Sequence, residues 1–375
     1  MSSHVKKIAQ IDSLRGIAIL LVVLVHTAQS VPDLPKWAFQ LTKYGQLGVQ
    51  LFFVVSAITL SISSDQRSGE TRPTAKFFIR RFFRIAPLYY IGIIWYWAFY
   101  STPLSIRAGM WTNAPNYTPL NLLTNFLFVH GFYPPAHNYV VPGGWSIGTE
   151  MAFYACFPLL FILFQKMSRG GALRFTAAFF SLAALYYALE YAYALWASAP
   201  IEKNNFMYYN LLNQLPVFAL GLWSYFLSKN HRFTELPIWA HLICFAFFSW
   251  ATRLLWTIDL PIVNSFMLLP FTAGAAFVFL YHLFAKIRWL NFEFLQSIGR
   301  VSYSMYIFHF VFAWFGVEYL HARFAALGRP LVLFGLYYLG VVALAYLVAV
   351  ISEKYIEQPG IQLGKKIIQT MDSHP

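Results

Sequence analysis

The chain has 375 residues, of which 59% are hydrophobic and only 11% charged, with 38 Phe, 24 Tyr and 12 Trp. A soluble domain carries about 25% charged residues, so this composition excludes a soluble globular enzyme and defines an all-α polytopic membrane protein. The net charge of +13 is not that of a nucleic-acid-binding surface. Its basic residues fall in short segments between apolar runs, which is the positive-inside pattern of a protein whose partners include membrane lipids and no nucleic acid.

The apolar runs predict about ten transmembrane spans, over 12–32, 45–63, 86–101, 145–165, 174–198, 209–228, 237–255, 262–284, 301–320 and 331–352. The third is short. Residues 120–133 are apolar but too brief to cross comfortably, and read as a re-entrant or interfacial piece. With the N-terminus in the cytoplasm and the sides alternating, 20 of the 27 Lys and Arg fall on the cytoplasmic side and 7 on the far side. This split predicts cytoplasmic N- and C-termini. No internal repeat is visible. Residues 1–375 read as a single integral-membrane domain with no fused soluble domain.

In the first span, Asp12 and Arg15 are followed by ten apolar residues, Gly16 to Val25, and then by His26. Arg15 and His26 are eleven apart. That is three helical turns plus about 20°, so both lie on one face, with a rise of about 16 Å between them. An ionisable residue at such depth is a functional candidate, although a structural histidine between helices has the same sequence signature. Lys6, Lys7 and the small residues near Ser30 also resemble a signal peptide, but Asp12 and Arg15 crowd its apolar core.

Between the second and third spans lies KFFIRRFFRIAPLYY. Arg81 and Arg84 are three apart and can share a helical face, with Arg80 beside them. Such a cluster serves topology or anionic lipid, or it clamps the phosphates of a nucleotide-containing cofactor. The segment Thr102–Gly144 is the longest on the far side and the candidate acceptor surface. Its His130 and His137 lack a third ligand type, and Cys156 and Cys244 sit in apolar runs, so no metal is expected.

The fourth span opens GGWSIGTEMAFY, placing Glu150 about 8 Å below the far-side boundary, at a depth similar to His26. A His and a Glu at one depth make a candidate general-base pair, with the carboxylate orienting the imidazole, or else a buried structural pair. Glu190 is a weaker rival, with no polar neighbourhood in sequence. In the ninth span Ser302, Tyr303, Ser304 and Tyr306 precede His309, a polar density that fits either a lined cavity or interhelical hydrogen bonds.

Five segments in order resemble the integral-membrane acyltransferase family 3, whose members acylate cell-surface glycans and some small molecules. They are IDSLRGIAILLVVLVH, GVQLFFVVSA, RRFFRIAPLYY, WSIGTEMAFY, and SYSMYIFH followed by YIEQP. The resemblance implies ten helices, an acyl-CoA donor on the cytoplasmic side and a hydroxyl acceptor, usually on a sugar, on the other. It carries roles to Arg15, His26, the Arg81–Arg84 pair, Trp145, Ser146, Glu150 and the Ser302–His309 segment. Two departures stand out: Ser56-Ala57-Ile58 in place of Ser-Gly-Phe, and Trp-Ser-Ile-Gly-Thr-Glu at 145–150 in place of Trp-Ser-Leu-Ser-Val-Glu.

The resulting expectation is an acyl-CoA-dependent O-acyltransferase, with acetyl-CoA as donor and a glycan or glycolipid acceptor, in a bacterial cytoplasmic (inner) membrane. His26 and Glu150 would be catalytic, and Arg15, Arg80, Arg81 and Arg84 would hold the donor. Asp12, Ser56, Trp145, Ser146, Tyr303 and His309 would line the substrate site. Direct transfer and an acyl-histidine relay both fit the sequence. A transporter or flippase, and a non-catalytic partner in glycan assembly, are the rival classes; the first predicts inverted repeats, which the sequence lacks.

Overall fold

A computed structural model describes residues 8–100, 116–197, 208–229, 235–257 and 265–373. Lys6, Lys7, Arg107, Lys203, Arg232 and the 102–115 part of the far-side segment lie outside the described residues. The helices are α1 (Ala9–Gln29), α2 (Lys36–Lys43), α3 (Gly48–Gln66), α4 (Pro73–Tyr100) and α5 (Pro119–Phe126). They continue as α6 (Gly144–Ser168), α7 (Ala172–Ala197), α8 (Leu211–Ser228), α9 (Ile238–Thr257) and α10 (Ser265–Lys286). The last are α11 (Glu293–Arg300), α12 (Ser302–Phe310), α13 (Val317–Phe324), α14 (Pro330–Ser352) and α15 (Gln358–Ser373).

Among the described residues there is no strand, and nine helical stretches are long and apolar enough to cross a membrane. The stretch expected at 301–320 is not one of the nine. It is a composite, in which α12 passes through a π-helical turn, Val311–Gly316, into α13. Together these cover Ser302–Phe324, about 35 Å of helical rise.

The short third span is corrected as well: α4 begins at Pro73, so the arginine-rich segment forms its opening turns rather than a loop. Proline suits that first position, where its missing N–H would have no helical partner. The apolar stretch 120–133 contains α5, eight residues long and so too short to span. It is capped by Thr118, whose side chain accepts from the Asn121 amide.

The chain divides into two compact units. The first holds the residues up to Ile11, Gln50–Ser68 and Thr149–Asn291. Within it α9 packs along α10, and α8 lies on α10. Phe218 of α8 stacks on Phe53 of α3 at 4.3 Å and on Phe153 of α6 at 4.0 Å. Gln50, fully buried, donates through its amide nitrogen to Tyr208 Oη at 3.2 Å and to Gln214 Oε1 at 3.1 Å, which satisfies donors that the apolar surroundings would otherwise penalise.

The second unit holds Asp12–Val49, Gly69–Gly148 and Phe292–Pro375. Here α12 packs on α14, and α15 on α4. Lys76 of α4, 3% exposed, donates to Asp372 of α15 at 2.5 Å. α1 and α11 meet backbone to backbone. A Cβ on Gly16 would lie 2.3 Å from Leu295 O, and one on Gly299 only 1.7 Å from Asp12 O. Neither position admits any side chain, so this contact depends on glycine at both.

Candidate active site

His26 lies in the last turn of α1, which ends at Gln29. Its Nδ1 is 3.0 Å from Gln29 Oε1, three residues on and one turn away on the same helix. Trp314, in the π-helical turn, donates its indole N–H to the same oxygen at 3.3 Å. The His26 ring is 4.5 Å from Phe310, 5.4 Å from His309 and 5.8 Å from Trp314, centroid to centroid.

Helical spacing on α12 brings Tyr306, His309 and Phe310 to one face, since i, i+3 and i+4 share a side. His309 is fully buried. Its Nδ1–H is directed to the carbonyls of Tyr306 (2.8 Å) and Met305 (3.2 Å), while its Nε2 has no hydrogen-bond partner among the described residues. Tyr306 Oη donates to Gly143 O at 3.0 Å and accepts from Ser146 Oγ at 2.8 Å. Gly143 has φ +75°, and a Cβ there would meet Phe310 and the Tyr306 hydroxyl at 2.8 Å. Ser146 and Trp145, both buried, thus enter α6 beside the face that carries His309.

The start of α6 is braced by a second imidazole. His130 Nε2–H donates to Gly144 O at 2.9 Å and lies 3.2 Å from Tyr89 Oη, which donates to Asn125 Oδ1 at 2.7 Å. His130 is fully buried, and burial pushes its pKa down from 6.5 to about 4, so it stays neutral. Burial lowers the pKa of His137 also, while its ring bonds to Pro134 O.

The expected donor-binding arginines are on the opening turns of α4. Arg80 pairs with Glu70. Arg81 and Arg84 are half-buried, and Arg84 supplies positive charge to Glu357, a carboxyl only 3% exposed. Ser304 Oγ donates to Glu357 and lies 3.1 Å from Ser352 Oγ. The Tyr303 hydroxyl is directed to the Ile85 carbonyl of α4 at 2.9 Å, an interhelical tie. Asp12 and Arg15 are half-buried on α1, with the Asp12 carbonyl against Gly299.

In the first unit, Glu150 of α6 accepts hydrogen bonds on Oε1 from Ser56 Oγ and Tyr154 Oη, both at 2.6 Å. The two polar anchors Ser56 and Glu150, expected from separate motifs, are therefore brought together. The oxygen at His26 Nδ1 is supplied by Gln29. The rival acid Glu190 is on α7, and its side chain is outside the described residues. Sequence reasoning missed Gln29, Trp314 and Glu357. For Gln29 a signal existed, an amide one turn from a candidate histidine.

The fold and this imidazole cluster define a polytopic helical membrane protein with a histidine-centred site. Residues 8–351 match the family model described as an acyltransferase domain, and the chain belongs to that acyltransferase family. It is 27% identical to the Komagataeibacter xylinus protein named "Putative membrane-bound transacylase BcsY", across 94% of this chain and 82% of that one. It is 27% identical to peptidoglycan O-acetyltransferase OatA of Listeria monocytogenes, across 43% of this chain and 25% of that protein. Acyltransferase MdmB of Streptomyces mycarofaciens is 26% identical, across 44% and 42%. No solved structure matches the chain.

Proposed function

We propose that this membrane acyltransferase moves an acetyl group from acetyl-CoA at the cytoplasmic face to a hydroxyl of a glycan or glycolipid on the other side. The observation that carries the reading is the setting of His26. It is eleven residues from Arg15 on one helix, and its half-buried ring packs in a cluster with the buried His309 and Phe310 and with Trp314. A relative named as a peptidoglycan O-acetyltransferase supports acyl transfer to a glycan hydroxyl, and the bacterial sources of the relatives support a location in a bacterial cytoplasmic membrane.

In this reading His26 takes the proton of the acceptor hydroxyl as its oxygen attacks the thioester carbonyl. The C–S bond breaks, and the coenzyme thiolate takes the proton back from the imidazolium. Arg81 and Arg84 hold the donor's phosphates as charge-assisted contacts. Arg80, already paired with Glu70, adds less. Arg15, on the same helix face as His26, adds a further positive charge for the donor. Asp12, Trp145, Ser146, Tyr303 and His309 shape the acceptor site. Glu150, which accepts from Ser56, is a further group the transfer needs.

Purified protein with labelled acetyl-CoA and candidate glycans tests this. Wild type should transfer label. His26→Gln should lose about 10²–10⁴-fold in rate, the usual worth of a general base, while still binding donor. Glu150→Gln should be strongly but less completely impaired. Retention of more than about a tenth of the rate in His26→Gln removes the base from the mechanism. Absence of transfer by wild type, with substrate movement across vesicles instead, would favour a transporter.

A further inference from the structure

Two N–H donors converge on one oxygen beside His26. Gln29 Oε1 is 3.0 Å from His26 Nδ1 and accepts the Trp314 indole N–H at 3.3 Å. The indole can only donate, which fixes the oxygen, not the nitrogen, of the Gln29 amide at this point. An amide oxygen can only accept, so the Nδ1 facing it carries the ring proton. In neutral imidazole the other nitrogen is then bare, and Nε2 is left as the acceptor.

We infer that Gln29, held by Trp314, is a positioning residue that locks His26 in the tautomer whose Nε2 can take a proton from the acceptor hydroxyl. The inference rests on the reading of His26 as the general base. It adds where the base's polarity comes from: a neutral amide on the same helix, braced from the π-helical turn. The wrong tautomer would present Nε2–H to the hydroxyl, a donor facing a donor, and no proton could leave by that route.

His309, the titratable group beside His26, obeys the same logic. Carbonyl oxygens of Tyr306 and Met305 at 2.8 and 3.2 Å commit its Nδ1 to donation, leaving Nε2 as acceptor. The two imidazoles, 5.4 Å apart, therefore cannot satisfy each other as donor and acceptor through their outer nitrogens. Each outer nitrogen calls for a donor from elsewhere, such as an acceptor hydroxyl. Gln29 is exposed at the end of α1, so its replacement does not disturb a packed core.

The test compares Gln29→Leu, which removes the accepting oxygen, with Gln29→Glu, which keeps one at similar reach. Gln29→Leu should lower kcat about 10- to 100-fold, the usual effect of removing a group that orients a functional histidine, with KM for acetyl-CoA unchanged. Gln29→Glu should restore kcat to within about threefold of wild type, since its carboxylate still accepts from Nδ1–H. Nitrogen-15 spectra of labelled histidine, with His26→Gln subtracted to assign the signal, should show Nδ1 protonated in wild type and a mixture in Gln29→Leu. Wild-type kcat in Gln29→Leu, equal impairment of both variants, or an Nε2-protonated His26 in wild type overturns the inference. If those results come with an inactive His26→Gln, only the role of Gln29 falls; an active His26→Gln removes the base reading itself.

Discussion

His130 occupies the space that a side chain on Gly148 would need: a Cβ there would lie 2.7 Å from His130 Nε2. Gly148 is the position where the family motif usually has serine, so histidine on the connecting segment and glycine on α6 form one packing solution. Gly148→Ser should destabilise the protein by about 1–3 kcal/mol, the typical cost of overpacking a filled site. In a His130→Ala background the same change should cost at least about 1 kcal/mol less, as expected for residues in direct contact. Unfolding in detergent measures both, and equal costs in the two backgrounds would separate the residues.

The neutral state of His130 predicts a pH dependence with a defined sign. Burial lowers its pKa from 6.5 to about 4, so the unfolded chain binds a proton in a range where the folded chain does not. Its contribution is fully present above pH 6.5, falls as pH drops toward 4, and loses nothing further below that. The total is about 3 kcal/mol. His130→Gln keeps an N–H for the Gly144 carbonyl but does not titrate. The fall in unfolding midpoint between pH 6.5 and 4 should be shallower in that variant. His137, shifted the same way, contributes to both proteins and cancels in the comparison.

Arg84 has two tasks in the proposed scheme, and they can be separated. It balances the buried Glu357, and it would hold a donor phosphate. Arg84→Ala should weaken coenzyme A binding about ten- to a hundredfold, the worth of one charge-assisted contact, and should also lower the unfolding midpoint. Adding Glu357→Gln should restore the midpoint and leave affinity low. Recovery of affinity in the double variant would make Arg84 a counter-ion alone. Arg81→Ala should weaken binding comparably, and Arg80→Ala less, because Arg80 is paired with Glu70.

The 20-to-7 distribution of basic residues predicts that Ser68 faces the cytoplasm and Asn116 the other side of the membrane. With Cys156 and Cys244 replaced, single cysteines at these positions should react with an impermeant reagent from opposite faces. Reaction of both from the same face would overturn the ten-span arrangement, and reaction from the faces opposite to those assigned would overturn the orientation.

The helices were largely legible because twenty consecutive apolar residues are a local property. What eluded the sequence was not local. The start of α4 reads as a basic loop until Lys76 pairs with Asp372 and the charge of Arg84 acts on Glu357, residues far apart in the chain. The span at 301–320 reads as one continuous helix by length and mean apolarity, which are blind to a π-helical turn. At the site, the Arg15–His26 spacing was readable from helical period alone. The buried neighbours of His26 on α12 and beyond were not, because no periodicity links α1 to the C-terminal part of the chain. Gln29 was within reach, one turn past His26, but side-chain amides at helix ends are too common to attract notice.

The glycine contact between α1 and α11 bears on how the protein is made. Gly16 and the Asp12 carbonyl leave the ribosome almost three hundred residues ahead of their partners Leu295 and Gly299. At about 5–20 residues per second, α1 waits some tens of seconds with a backbone groove open and Asp12 and Arg15 beside it. During biogenesis this helix must be held by lipid or by the insertion machinery. Chains terminated before α11 would leave the histidine's own helix without its seat, and the cell's membrane proteases would meet them as incomplete products.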